Sequence, residues 1–264
     1  MSEELLINVT PQEIRVALVD NGVLQELQVE RSGHRGLVGN IYKGVVRRVL
    51  PGMQAAFVDV GLDRTAFLHA ADIQDDSEEL NGETDIETRP GHHEVRNVCT
   101  LLHEGQEVLV QVIKDPVGSK GARLTTRITL PGRYLVYMPF VPRIGVSTRI
   151  ESPEERSRLK DELKAAIPAD EAGGYIIRTL AEGVEHQDFV GDIDFLRRLW
   201  SSIRRQLENS SAPCQIHSDL NLAMRMMRDV MSDNIERVRI DSRETYEAAA
   251  SFCQRVIPEV ADRM

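Results

Sequence analysis

Cysteine is scarce in this chain. Cys99, Cys214 and Cys253 are the three present. None is spaced as CxxC and their number is odd, which excludes a disulfide framework and the usual zinc-ribbon patterns and points to reduced thiols. His92-His93, near Cys99, fits no standard zinc spacing and reads as a solvated loop. Long apolar runs are missing as well, since no stretch approaches the ~18–20 residues of a membrane-spanning helix. Met1-Ser-Glu-Glu lacks the basic start and apolar core of a signal peptide, so the expected setting is cytoplasmic, with no membrane span. The chain shows no internal repeat and no coiled coil. Carboxylates are abundant, 42 in all, but none is grouped with His or Lys in a pattern suited to metal catalysis. No catalytic and no metal-ligating residue is assigned within the chain. Asp59 and Asp115 fall in strand or turn positions and read as structural.

The 264 residues suffice for one large domain or two to three small ones, and 41% hydrophobic with 28% charged residues indicates packed cores under a polar surface. A net charge of −10 weighs at first against nucleic acid. Its distribution matters more. Seven of the thirteen residues from Asp75 to Glu87 are acidic, a polar excursion interrupted by Asn81-Gly82. The runs around it are rich in cations, and exposed charges are screened over ~8 Å at physiological salt. The sign of the total therefore decides little.

Gly39-Asn-Ile-Tyr-Lys-Gly-Val-Val-Arg-Arg-Val-Leu50, Ala55-Ala-Phe-Val-Asp-Val-Gly61 and Thr65-Ala-Phe-Leu-His69 are short β-like runs separated by Gly-containing turns. Tyr42, Phe57 and Phe67 are spread among Lys43, Arg47, Arg48 and Arg64. A barrel that binds single-stranded nucleic acid uses this mixture: rings stack on splayed bases, and cations follow phosphates. The other reading makes the phenylalanines core, as most strand aromatics are. Val58, Val60 and Leu68 could already fill a small interior, and on composition the two readings stand even.

Elsewhere, Leu5–Val9, Ile14–Asp20 and Val23–Glu30 predict an antiparallel meander, with Asn21-Gly22 suited to a type I′ hairpin turn. Ala122–Leu130 and Arg133–Met138 are strand-like and are joined at Pro131-Gly132. Ser152-Pro-Glu-Glu155 has the cap, first-turn Pro and third-position Glu of a helix start, with Leu159, Leu163 and Ile167 on its buried face. Tyr175-Ile-Ile177 predicts an apolar strand. Ile193, Leu196, Trp200, Ile203 and Leu207 predict a helix whose end suits Arg204 and Arg205. Leu220, Met224, Met227 and Met231 predict another. Trp200 and the methionines read as core. Arg237–Ile240 and about 243–256 complete the chain as strand and helix.

The strand-and-turn segments over 39–69, with Glu107-Val-Leu-Val-Gln-Val-Ile-Lys-Asp115 as closing strand, resemble an S1 RNA-binding domain, a five-stranded oligonucleotide-binding barrel. Residues 1–50, Lys120-Gly-Ala-Arg-Leu-Thr-Thr126 and Gly174-Tyr-Ile-Ile-Arg-Thr179 are similar to the N-terminal half of the ribonuclease E/G family, with its G-type members the nearer match. The resemblance implies an α+β, multidomain chain. An S1-type barrel (36–121, with the acidic insertion at about 74–99) and a 5′-sensor domain (122–219) would be inserted into a discontinuous ribonuclease H-like domain (1–35 and 220–264). Similarity to ribonuclease H is one of fold and brings no activity with it.

For sites, the resemblance implies RNA contacts at Phe57, Phe67, Lys120 and Lys43. It implies a 5′-monophosphate pocket of Arg178 and Thr179 with Gly132 and Val136. A family arginine falls at Thr148 here, and the adjacent one matches Arg149, which the resemblance adds to the pocket. Without the resemblance, Arg178-Thr179 reads as a surface ion pair and Lys120 as a solvated turn lysine. The implied parent activity is magnesium-dependent cleavage of single-stranded RNA in rRNA processing and mRNA decay. The magnesium-binding aspartates belong to a later DNase I-like domain. A zinc-binding cysteine pair lies beyond it at the interface of a homo-oligomer. The sequence would then be the RNA-recognition half, inactive alone. A stand-alone S1-type RNA-binding module and a protein-binding scaffold are the other readings.

Overall fold

The computed structural model describes residues 3–74, 97–231 and 234–256. The acidic insertion expected at about 74–99 falls mainly on 75–96, outside the described residues, as do His92 and His93. Contacts divide the chain into two compact units. One comprises the two ends, up to Gly36 and from Leu220 onward, and the other Leu37–Asp219.

The chain begins as a meander of β1 (Glu3–Val9), β2 (Glu13–Asp20) and β3 (Val23–Arg31). Asn21 and Gly22 between β2 and β3 have φ of 49° and 80°, the paired positive values that a type I′ turn requires and that Asn-Gly tolerates.

The second unit opens with a barrel. β4 (Ile41–Leu50), β5 (Ala55–Asp59), β6 (Ala66–His69), β7 (Glu107–Lys114) and β8 (Arg123–Thr125) pair in the order β4-β5-β6-β8-β7, and β7 returns to β4 to close the cylinder. Only β6 and β8 run parallel. β8 lies beyond residue 121, so the barrel extends past the expected closing strand at 107–115. Closure pairs the strands around the cylinder and leaves the alternate inward residues to fill the interior. Tyr42, Val46, Ala56, Val58, Ala66, Leu68, Val110 and Leu124 do so.

A second sheet follows, built from β9 (Leu130–Pro131), β10 (Leu135–Met138), β11 (Ile144–Val146) and β12 (Gly174–Ile177) in the order β11-β12-β10-β9. The run expected to be one strand over 122–130 is thus divided between barrel and second sheet. After the single-turn α1 (Val98–Leu101) that precedes β7, helices α2 (Pro153–Ala166) and α3 (His186–Asn209) accompany this sheet. Ser152 caps α2 by accepting the Glu155 N–H at 3.2 Å. The reciprocal half of the capping box does not form, because the Glu155 carboxylate accepts from Arg158 and from the Gly183 N–H instead. Leu159, Leu163, Phe189, Ile193, Leu196 and Ile203 pack with Tyr137 and Tyr175 in one core, Trp200 against its margin. β13 (Cys214–His217) leaves this layer and pairs with Ile41–Lys43 at the start of β4.

The first unit resumes with α4 (Leu222–Val230), β14 (Ile235–Ile240) and α5 (Arg243–Val256). β14 joins β1 in parallel, giving a sheet of order β14-β1-β2-β3. Leu5, Ile7, Val16, Met224, Met227, Met231 and Phe252 form its core. The methionine periodicity is therefore a packing signal.

Candidate nucleic-acid interface and phosphate pocket

Strand alternation places the barrel aromatics. On β5 and β6, Ala56, Val58, Ala66 and Leu68 point inward and are fully buried, so Phe57 and Phe67 fall on the opposite face. Both are half-buried. They are direct cross-strand partners, with ring centroids 6.2 Å apart and planes at 67°. His69 continues the row two residues on, its ring 6.4 Å from Phe67. His69 Nδ1 accepts the Ala71 N–H at 3.1 Å, which leaves the neutral ring its hydrogen on Nε2. His69 was not singled out from sequence, although its period-two spacing from Phe67 carries the signal.

Cations border this face through the sheet register. Arg48 pairs with Phe57 and Arg123 with Phe67, and Arg123 is anchored on Asp72 at 2.8 Å. Lys120 is exposed in a tight hairpin closed by two bonds with Val117, at 3.0 and 3.2 Å. Gly121 fits this hairpin against the start of β6, where an added Cβ would sit 2.0 Å from the Thr65 carbonyl oxygen. Arg64 donates to the Gly118 carbonyl in the same turn. The hairpin that carries Lys120 is thus held at the entry to β6, the strand of Phe67.

Lys43 is placed differently. It lies at the other end of β4, where its ammonium is 3.0 Å from Glu107 Oε2 and donates to the Ser210 carbonyl at 3.0 Å. Asp59 and Asp115 act as struts. Asp59 pairs with Arg47 at 2.7 Å and accepts the Gly61 N–H; the hydrogen bond from Arg47 holds its carboxyl below the usual range. Asp115 accepts the Leu37 N–H.

The candidate phosphate pocket is made by chain direction. β11 and β12 run parallel, with Val146 beside Ile177, so the residues after each strand, 147–149 and 178–179, emerge at one end. β10 is antiparallel to β12, which brings its entry, Gly132–Tyr134, to the same end. Arg178 Nη1 donates to the Gly132 and Arg133 carbonyls at 2.6 and 3.3 Å, fixing the guanidinium. Thr179 Oγ1 lies 3.2 Å from Ser147 Oγ, and Ser147 Oγ accepts the Arg149 N–H at 3.3 Å. Arg149 and Thr148 are exposed, and Val136 is half-buried, paired with Ile176.

Beneath the pocket sits Asp192, a buried residue of α3. Its carboxylate accepts the N–H groups of Arg133, Tyr134 and Leu135 at 3.0, 2.9 and 2.8 Å. Burial pushes its pKa up, against the pull of those three bonds and of the Arg178 charge. Gly132 is required here because a Cβ would lie 2.5 Å from Asp192 Oδ1. Asp192 and Ser147 were both missed in sequence. The available signal for Asp192 was a lone acid on the buried face shared by Phe189, Ile193 and Leu196.

A closed five-stranded barrel with an outward aromatic pair and bordering cations defines an oligonucleotide-binding module, and the description of S1 RNA binding domains matches residues 37–127. That of the ribonuclease E/G family matches residues 129–264. The chain belongs to the ribonuclease E/G family. It is 50% identical to ribonuclease G of Escherichia coli K12 over 264 residues, all of this chain and 53% of that protein. Identity to ribonuclease G of Haemophilus influenzae is 46%, over 99% of this chain and 52% of the relative. Ribonuclease E of E. coli K12 is 39% identical over 94% of this chain and 22% of its own length. The chain spans about half the length of the ribonuclease G relatives.

Proposed function

We propose that this chain is the RNA-recognition part of a ribonuclease G-type endoribonuclease that cleaves single-stranded RNA in RNA processing and decay. In this reading the barrel face of Phe57, Phe67 and Lys120 holds unpaired RNA, with Lys43 a peripheral member tied into the fold. Arg178 and Thr179, with Gly132, Val136 and Arg149, bind a 5′-monophosphate. The end segments form a discontinuous ribonuclease H-like domain into which the barrel and sensor are inserted in sequence. The observation that supports the pocket most is the convergence of Arg178, Thr179 and the Gly132 turn at one end of the second sheet.

The chemistry suits a terminal phosphate. A 5′-monophosphate carries nearly two charges near neutral pH, and an internal diester carries one. A guanidinium with its plane fixed presents a fork to that dianion, and the Thr179 hydroxyl adds a directional donor. Asp192 keeps the turn in place without facing the ligand. In the barrel, the edge-to-face phenylalanines offer ring surface to successive bases, and the cations meet the phosphates between them.

The magnesium and zinc of the family, and its homo-oligomeric, cytoplasmic state, belong to the same proposal. Among the described residues no three His, Cys, Asp or Glu side chains are grouped so as to hold a metal ion, and none of the steps above runs through one. No described helix is long and apolar enough to cross a membrane. The chain alone is expected to leave RNA uncut with Mg²⁺ or Mn²⁺ while still binding it; EDTA-sensitive cleavage would contradict this.

Equilibrium binding of one oligonucleotide with either a 5′-monophosphate or a 5′-hydroxyl tests the pocket. Tighter binding of the phosphorylated form is expected. Equal affinity would overturn the sensor reading and leave the S1 reading, a non-catalytic RNA-binding module, standing.

A further inference from the structure

Helix α3 has a face that neither the barrel nor the phosphate pocket uses. Arg197, Arg198, Arg204 and Arg205 occupy positions seven residues apart in pairs, so they share one side of the helix over two turns, about 10.5 Å. Arg197, Arg198 and Arg205 line a shallow depression together with Asp194 and Ser201. Arg204 and Arg205 are exposed. Arg197 is braced by Asp170 at 2.9 Å and Glu171 at 3.3 Å, and Arg198 Nε donates to the Asp194 carbonyl at 3.1 Å. Asp194 and Glu208 are the carboxylates carried by α3 itself near this face.

Arginines near a helix C-terminus also suit the helix dipole, and that alone would call for nothing more. Beside them, however, lies an aromatic surface. Trp200 sits between Arg197 and Arg204, at the three- and four-residue spacings that make neighbours on a helix. The Phe140 ring meets Trp200 edge-on, with centroids 5.4 Å apart and planes at 89°. Phe140 is 45% exposed although it is a large apolar ring. Guanidinium groups, two of the four braced, beside an exposed, braced ring are the chemistry that holds a strand of unpaired nucleotides. A protein partner would gain less from four arginines, whereas a polyanion with stackable bases is met by both features.

We propose that the outer face of α3 with Phe140 is a second site for single-stranded RNA. The arginines contact phosphates, and Phe140 takes one base. The site would engage nucleotides beyond those held by the barrel, so it adds affinity only for RNAs long enough to occupy both. It deepens the RNA-binding reading above and rests on it. It is independent of the 5′-phosphate pocket, so 5′-hydroxyl RNAs are used in its test.

Binding of an RNA of about 8 nucleotides, within the footprint of one such barrel, is compared with that of about 30 nucleotides by fluorescence anisotropy. Arg204→Gln with Arg205→Gln should weaken the long RNA about three- to tenfold. It should also lower the slope of log affinity against log salt by about 1.4, for two lost phosphate contacts, and leave the short RNA unchanged. The paired Lys variant should bind like wild type, which separates lost charge from altered packing. Phe140→Ala should weaken the single strand about fivefold and leave a duplex of equal length unaffected.

Unchanged binding of the long RNA by the Gln pair would overturn the proposal while leaving the barrel reading intact. Equal losses for short and long RNAs would overturn it too, by showing a diffuse field in place of a site. If wild type binds the long RNA through these arginines but not the short one, this site stands and the barrel reading fails. If wild type binds neither, both fail.

Discussion

The barrel face and the proposed phosphate pocket present their side chains by opposite means. Phe57 and Phe67 reach the surface because two short strands alternate and happen to pair in register. Nothing distant is needed beyond the closed cylinder. Arg178 reaches its position because strand directions, a glycine turn and a carboxylate from a helix 14 residues later in the chain (Asp192) agree. A stacking surface tolerates looseness, because every base offers a ring face. A site that counts charges on one phosphate does not, and here the turn beside it is fixed by three hydrogen bonds to a buried acid.

That contrast predicts where each site breaks. Asp192→Ala has the largest expected effect, since it strands three N–H groups, two of them buried, and removes the charge near Arg178. A stability loss of about 3–5 kcal/mol is expected in urea unfolding, with the 5′-phosphate preference gone and 5′-hydroxyl binding retained by folded protein. A loss under about 1 kcal/mol would mean that the turn holds without its carboxylate.

Arg178→Ala comes next. It should remove about 1.5–3 kcal/mol of the preference for a 5′-monophosphate and leave 5′-hydroxyl binding unchanged. If both RNAs weaken equally, the barrel and pocket are not independent sites. Phe57→Ala or Phe67→Ala should cost about 1–3 kcal/mol for either 5′ end. Unfolding of these variants with undiminished binding by the folded fraction would reassign the rings to packing.

Smaller effects sharpen the comparison. Glu171 accepts from Tyr137, Tyr175 and the Gly173 N–H, and pairs with Arg197. Burial raises its pKa, but these bonds outweigh it and leave the carboxyl below its ordinary value. A depressed folded pKa means stability that is present above the unfolded value and lost as pH falls through the folded one. The wild type should therefore weaken below the ordinary carboxylate range, and Glu171→Gln should flatten that limb of a pH–stability curve measured by thermal melting. Lys120→Ala should do least. The salt slope for single-stranded RNA should fall by about 0.7, the share of one phosphate, and no change would show that the hairpin lysine is only solvated.

Legibility in the sequence followed the same division. The hairpin at Asn21-Gly22, the helix from Arg243 and the alternating runs around Phe57 and Phe67 are local patterns, and each appears in the structure. For the phenylalanines, composition left core and surface even and the resemblance favoured the surface; register, which composition does not contain, puts both rings on the face opposite the buried residues. Ser152 capped its helix as its spacing suggests, yet Glu155 found Arg158 and Gly183 instead of the helix start. Lys43 reads as a surface cation until the Ser210 carbonyl and Glu107 are seen to hold it. Asp192 and Ser147 were missed because the contacts that bring them to the pocket, with 133–135 and with Thr179, lie far off in sequence.

β4 pairs with β5 and β7 to close the barrel, and its first three residues also pair with β13. Ile41, the first residue of that strand, is buried with Ile128, Ile216 and the second sheet, not with the barrel interior. The boundary of the S1 match at residue 127 therefore marks shared ancestry rather than a line along which the protein comes apart. A barrel excised there would bare Ile41 and an unpaired strand edge, the two features that make isolated β-domains self-associate. What inheritance treats as a portable module, this fold has made a dependent part.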